Sequence, residues 1–298
     1  MNRISKEDIV TQQFTVESPS ELLEFLIEKG IRKSKNAIQS VLKHRLILVN
    51  GKVVTQYNHS LKRGDKVSVM KFDQKKKLGR LQGLSIIYED ESIIVINKDS
   101  GLLSVATERE KVRTATAVLT NYVQKRSRTA KIFVLHRLDR EASGLMLFAK
   151  SIEIQHAVKN DWDKYVLSYN FAIIVEGIMP KESGELRTWL TQNRNYQVFS
   201  STFDNGGQEA ISSYKVVKAN ERYSLVDFKQ KTRLRNQLRA QLQQLQRPIV
   251  GDRKYGATSS PIKRVAMHVN EVKLKHPMTG KVLIFEAPIP KAMISLIK

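Results

Sequence analysis

The 298-residue chain has no cysteine, which excludes disulfides, thiolate metal ligands and a thiol nucleophile together. Its six histidines (His44, His59, His136, His156, His268, His276) show no metal-type spacing such as HxxxH, so no metal site is expected. Phosphate-cradling glycine loops are missing: Gly206-Gly207 in FDNGGQEA is an isolated pair that reads as a turn, and no cofactor motif occurs. No apolar run approaches the roughly 18 residues of a membrane span, and Met1 opens a polar segment without the apolar core of a signal peptide. A cytoplasmic protein that does not enter membranes is therefore expected. Acidic residues are scarce as well, 29 against 51 Lys plus Arg, which leaves a net charge of +22 and a pI near 10.0. Such a surface attracts polyanions, nucleic acid before anionic membranes.

The length and the ordinary 41% hydrophobic content predict two domains with packed cores. Ser18-Pro19-Ser20-Glu21 has capping-box spacing, Leu22, Leu23, Phe25, Leu26 and Ile27 follow, and Gly30 closes the predicted helix. A second helix is read in SKNAIQSVLKHR, with Ala37, Ile38, Val41 and Leu42 at helical spacing and Lys33, Lys35, Lys43, His44 and Arg45 at its ends and outer face. LILVNGKVV predicts a hairpin around Asn50-Gly51, and Lys62-Arg63-Gly64-Asp65 turns into the strand KVSVMKF. Over about residues 14–72 this pattern resembles the small RNA-binding domain first recognised in a ribosomal small-subunit protein. The resemblance implies that Lys33, Lys35, Lys43 and Arg45 contact RNA.

DQKKKLGRLQG, residues 73–83, lacks apolar periodicity and reads as a connection, giving a small domain over 1–75, a linker over 76–83 and a larger domain over 84–298. The larger part is rich in short strands (SIIYED, SIIVINK, FVLHR, LMLFAK, FAIIVEG, YSLVDF, VLIFEA), with helices expected in TATAVLTNYVQKR and NQLRAQLQQLQ. The expectation is an α+β chain: a small N-terminal domain of a helix pair and strands, then a mixed, mostly antiparallel sheet with flanking helices.

Residues 133–150, FVLHRLDREASGLMLFAK, place His136, Arg137, Asp139, Arg140 and Glu141 between two apolar stretches. One reading is a charged connection between strands, closed by Ser143-Gly144. The other is that Asp139 sits at a strand end between basic groups that keep it ionised at neutral pH.

HRLDREASGLMLFAK resembles the signature of the ribosomal large-subunit pseudouridine synthases, and EDESIIVINKDSGLLSVA before it, with NQLR and QRPIVGDRKYGA after it, occur in that family's order. The resemblance implies isomerisation of uridine in ribosomal or transfer RNA without a cofactor, by a monomer, with Asp139 as the carboxylate that acts at the ribose. It casts His136 and Arg137 as supports, the Arg taking the place of the flipped nucleotide. Phe171 stands where the family carries Tyr, and Tyr169, two residues earlier on the same face of a regular strand, is the candidate substitute. Asp252 and Tyr255 are expected to hold loop shape.

Leu234 falls where the family places the Arg that pairs with the catalytic carboxylate. If the site is active, Arg233 or Arg235 is expected within about 4 Å of Asp139, while Arg239, matching the motif's second Arg, is expected on a phosphate. Leu234 also raises the alternative of a non-catalytic RNA-binding paralogue acting in ribosome assembly. Deleting residues 1–75 is expected to weaken RNA binding and flatten its salt dependence, by about 0.9 in log–log slope for each duplex phosphate no longer bound and about 0.7 for each single-strand phosphate. A salt titration of binding checks this.

Overall fold

The computed structural model describes residues 10–31, 38–39, 41–42, 47–70 and 78–298. Two compact units, Met1–Lys76 and Lys77–Lys298, divide the chain. The first contains β1 (Val10–Thr15), β2 (Ser20–Glu21), α1 (Leu22–Glu28), β3 (Ile47–Val49), β4 (Lys52–Val53), β5 (Ser60–Leu61) and β6 (Lys66–Met70). Its main sheet runs β1-β6-β3-β4, and β2 pairs with β5. Leu22, Phe25 and Leu26 of α1 and the helical residues Ile38, Val41 and Leu42 bury against Ile47, Val49, Val67 and Val69. Asn50 and Gly51 both take positive φ (50° and 76°), the geometry that a two-residue hairpin turn requires.

The first helix starts later than the Ser18 capping box predicts. Glu21 is its N-cap and makes no side-chain cap bond; instead the N–H groups of Leu22 and Leu23 donate to the carbonyls of His59 and Tyr57 at 2.9 and 3.0 Å. A tertiary partner for the free N–H groups replaces the local cap. Lys33, Lys35, Lys43 and Arg45 lie outside the described residues.

The second unit comprises β7 (Leu78–Leu81), β8 (Leu84–Glu89), β9 (Ile93–Lys98), α2 (Ala115–Gln124), β10 (Phe133–Val134), β11 (Ser143–Ala149), α3 (Ile152–Asn160), α4 (Trp162–Tyr165), β12 (Val166–Glu176), β13 (Ser183–Gln192), β14 (Val198–Ser201), β15 (Gln208–Ala219), β16 (Tyr223–Gln230), α5 (Gln237–Gln244), β17 (Met267–Lys275), β18 (Val282–Glu286) and α6 (Lys291–Ile294). Its strands form one sheet, β14-β13-β15-β16-β12-β17-β11-β9-β8-β7, with β10 on β11 and β18 on β17. The fold is α+β, as expected. The linker read over 76–83 is corrected in part: Leu78–Leu81 is an edge strand paired with β8, its polar residues reflecting exposure and not a free connection. The β13–β15 strands escaped the sequence pattern because they are half-exposed and carry charge on the solvent side.

Among the described residues the single parallel pairing between these strands joins β11 to β17, through Ser143 opposite His268 and Gly144 opposite Val269. Gly144 has φ 114°, and a Cβ there would overlap the backbone of Val269. The Ser-Gly pair thus closes the seam between the two halves of the sheet. His268 Nε2 donates to Ala287 O (3.2 Å) and Nδ1 accepts from Ser143 Oγ (2.8 Å), whose oxygen also accepts from Arg264 Nη2 (2.7 Å). Burial pushes His268 down to about 4.

The unfolded chain takes up that proton near pH 6.5 and the folded chain does not until about 4, so the fold loses stability as pH falls through this window. The loss from His268 is expected to reach about 3 kcal/mol at the acid end, read by urea unfolding from pH 7 to 4, with a shallower slope in His268→Gln.

Candidate active site

Asp139 lies in the loop between β10 and β11, and the preceding segment 99–104 clamps that loop from below. Ser104 Oγ donates to Leu138 O (2.6 Å) and accepts from Leu138 N–H (3.0 Å), Ser100 Oγ donates to Glu141 O (2.6 Å), and Gly101 N–H donates to Arg140 O (2.7 Å). At the end of β9, Lys98 is wholly buried and its Nζ donates to the carbonyls of Asp99 (3.0 Å), Leu102 (2.8 Å) and Ala142 (2.6 Å). One ammonium therefore ties both segments together. Burial first, and repulsion from Arg264 second, push Lys98 down to about 8.

Asp139 Oδ2 accepts from Arg239 Nη1 at 3.2 Å. Arg239, on α5, grips Asp252 in a fork, Nε to Oδ2 at 2.6 Å and Nη2 to Oδ1 at 2.7 Å, and its guanidinium lies over the Tyr255 ring at 4.8 Å. Its side chain is 8% exposed against 30% for Asp139. Asp139 Oδ1 has no protein partner among the described residues, so the carboxylate is held by one oxygen and open at the other. Burial raises the Asp139 carboxyl above the ordinary range, with Arg239 drawing it back. The basic groups beside it in sequence make no ion pair with it: Arg137 is exposed, and Arg140 Nε donates to Gly101 O at 3.2 Å.

This arrangement corrects the expected partners. Arg233 pairs with Asp163 (3.1 Å) and covers Trp162 (4.9 Å), while Arg235 covers Tyr196 (5.6 Å); neither makes an ion pair with Asp139. Arg239 is held by protein acids and not left free for a phosphate. Leu234 packs beside Leu190, Val198, Ala240 and Tyr255, and its N–H donates to Gln237 Oε1 at 3.1 Å. The cation that reaches Asp139 comes instead from α5, five residues further on.

A cavity of about 580 Å³ opens in front of Asp139, walled by Arg137, Trp162, Tyr169, Phe171, Arg233 and Arg235. Tyr169 and Phe171 do share one face of β12, ring centroids 5.1 Å apart and 77° between planes. His136 sits edge-on to Trp162 and Tyr169 at 5.5 and 5.0 Å. Its Nε2 accepts from Leu147 N–H (3.1 Å), which leaves the ring proton on Nδ1, 3.2 Å from Tyr169 Oη. Burial lowers His136 to about 3, so the ring is neutral at physiological pH and serves as a packed brace. Trp162, Asp252 and Lys98 were missed or undervalued in the sequence; the available signal was Trp162 four residues before a strand carrying Tyr169, and a Lys closing the apolar run IIVIN.

Residues 92–244 match the RNA pseudouridylate synthase family, and residues 22–67 match the S4 domain. An uncharacterized RNA pseudouridine synthase of Bacillus subtilis is 30% identical over 276 residues, covering 91% of this chain and 90% of the relative. Ribosomal large subunit pseudouridine synthase D of Neisseria meningitidis is 24% identical over 279 residues, covering 89% and 74%. The solved structure of human RNA pseudouridylate synthase domain containing 4 shares the fold, with a TM-score of 0.57 at 20% identity over 70% of this chain and 90% of that one. With a family model across half its length and a 30% identical relative along nearly all of it, the chain belongs to the RNA pseudouridine synthases, isomerases that carry here an N-terminal S4 domain.

Proposed function

We propose that this protein isomerises uridine to pseudouridine in large-subunit ribosomal RNA, with Asp139 as its catalytic carboxylate. One observation carries the reading: Asp139 stands at the wall of an aromatic-lined cavity, one oxygen fastened to a buried, locked Arg239 and the other open. Ribosomal RNA is favoured by the names of relatives such as the Neisseria enzyme, and the charge of +22 suits a polyanionic substrate.

The target nucleotide enters turned out of its stack, its uracil against the rings of Tyr169 and Phe171. Asp139 acts at the ribose, attacking the anomeric carbon or taking the neighbouring 2′ proton. The bond from ribose to N1 breaks and the base turns; C5 then bonds to C1′ as the Asp139 carboxylate leaves that carbon, or as Asp139 returns the 2′ proton to C2′, and the C5 proton is lost while N1 gains one, so atoms and charge balance without a redox partner. Phe171 lacks a hydroxyl, and burial holds the Tyr169 phenol well above its ordinary range, already engaged by His136 and Leu145 O. Leu234 was the ground for a purely RNA-binding paralogue; the contact from Arg239 to Asp139 supports the enzyme reading instead.

Asp139→Asn is expected to keep fold and RNA affinity within about threefold and to lower turnover by ~10³-fold or more, because an amide neither attacks the sugar nor accepts its proton. Tritium release from carbon-5-labelled large-subunit RNA checks this, and wild-type release from the mutant would refute the assignment.

The Arg239 charge lowers the Asp139 pKa, so Arg239→Gln is expected to move the acid limb of kcat/KM to higher pH. It also strands Asp252 in the interior at a cost of about 3–5 kcal/mol, so the pH profile is taken on protein verified as folded by circular dichroism.

A further inference from the structure

We propose that Tyr196 and Arg235 form a stacking platform for an unpaired base of the RNA beside the target uridine; the inference rests on the Asp139 cavity receiving that uridine. Tyr196 lies at the tip of the hairpin between β13 and β14. It is 64% exposed, and it holds φ 58°, a conformation that non-glycine residues other than Asn and Asp seldom adopt. Strained backbone under an exposed aromatic does nothing for the core, and the ring belongs to no hydrophobic cluster among the described residues.

The tip is nonetheless well braced. Asn193 Oδ1 accepts from the N–H groups of Asn195 (3.0 Å) and Gln197 (2.9 Å), and Tyr196 N–H donates to Asn193 O (3.0 Å). This fixes the direction in which the ring projects. Arg235, exposed and without a carboxylate partner among the described residues, lies over that ring at 5.6 Å and lines the cavity in front of Asp139.

The platform is thus joined to the reaction site through one residue. An exposed ring paired with a guanidinium offers a π face and a positive charge together, the combination that holds an unstacked base and its phosphate. Turning out the target uridine unstacks its neighbours, and Tyr196 supplies a replacement surface for one of them. Phe199 and Phe203, 43% and 71% exposed, continue the aromatic character along β14 and the loop after it.

The test uses the full-length protein with an oligoribonucleotide of about 12 residues containing 5-iodouridine, irradiated and mapped by peptide mass spectrometry; this length covers one stacking groove. A cross-link on Tyr196 is expected, retained in Tyr196→Phe and in Asp139→Asn. Tyr196→Ala is expected to weaken binding of the matching oligouridylate about fivefold or more, with Tyr196→Phe restoring it. Cross-links that map only outside residues 195–203, or equal affinity of the wild type and Tyr196→Ala, would overturn the platform. Asp139-dependent tritium release together with no cross-link at Tyr196 removes the platform and spares the catalytic reading; the cross-link without any release does the reverse.

Discussion

The ion pair between Arg239 and Asp252 is the interaction on which the site depends. Asp252 is 1% exposed and takes two nitrogens of the guanidinium, so the third can point only along the remaining direction, toward Asp139. Tyr255 lies against the guanidinium and fixes its tilt. A buried pair of this kind adds little net stability, because desolvation cancels most of the attraction, and hydrophobic residues of similar volume often serve a fold as well. Its effect here is directional: a charge that cannot swing away sits beside a partly exposed carboxylate.

The helix bearing Arg239 is unusual in the polarity of what it buries. Gln237, Arg239 and Gln241 are all inside. Gln237 bonds Thr232 Oγ1, Leu234 N–H, Ile211 O and Ser212 Oγ, while Gln241 bonds Ser212 Oγ, Thr188 Oγ1, Leu186 O and Ala210 O. Because every one of these groups is satisfied, the polar face is a rigid joint between α5 and the β13–β15 sheet. Lys98 does the corresponding work on the other side, gathering carbonyls that would otherwise be buried without partners. Asp139 is therefore held from two directions by polar groups, and the aromatic wall of the cavity needs only to pack.

Much of this architecture was legible in the chain. Asn50-Gly51 announced its hairpin, the apolar runs SIIVIN and LMLFA announced central strands, and the order of HRLD, NQLR and GDRKYG announced the family. The edge strand at Leu78–Leu81 and the long β13–β15 hairpins were not legible, since half-exposed strands carry the charges that a sequence reading assigns to loops. Asp252 read as a loop residue because nothing near it in sequence needs a buried carboxylate; its partner lies thirteen residues back on a helix.

By itself the sequence determined the α+β class and, through the resemblance of its motifs and their order, the family, because these rest on periodicity and motif order, which are local. Tertiary structure alone decided which arginine faces Asp139. Arg233, Arg235 and Arg239 are equivalent as charges, and only the docking of α5 against Asp252 and Tyr255 sends the last to the carboxylate while the first two stack on Trp162 and Tyr196. Contact between residues 100 positions apart is set by packing and buried hydrogen bonds, which a linear pattern does not carry.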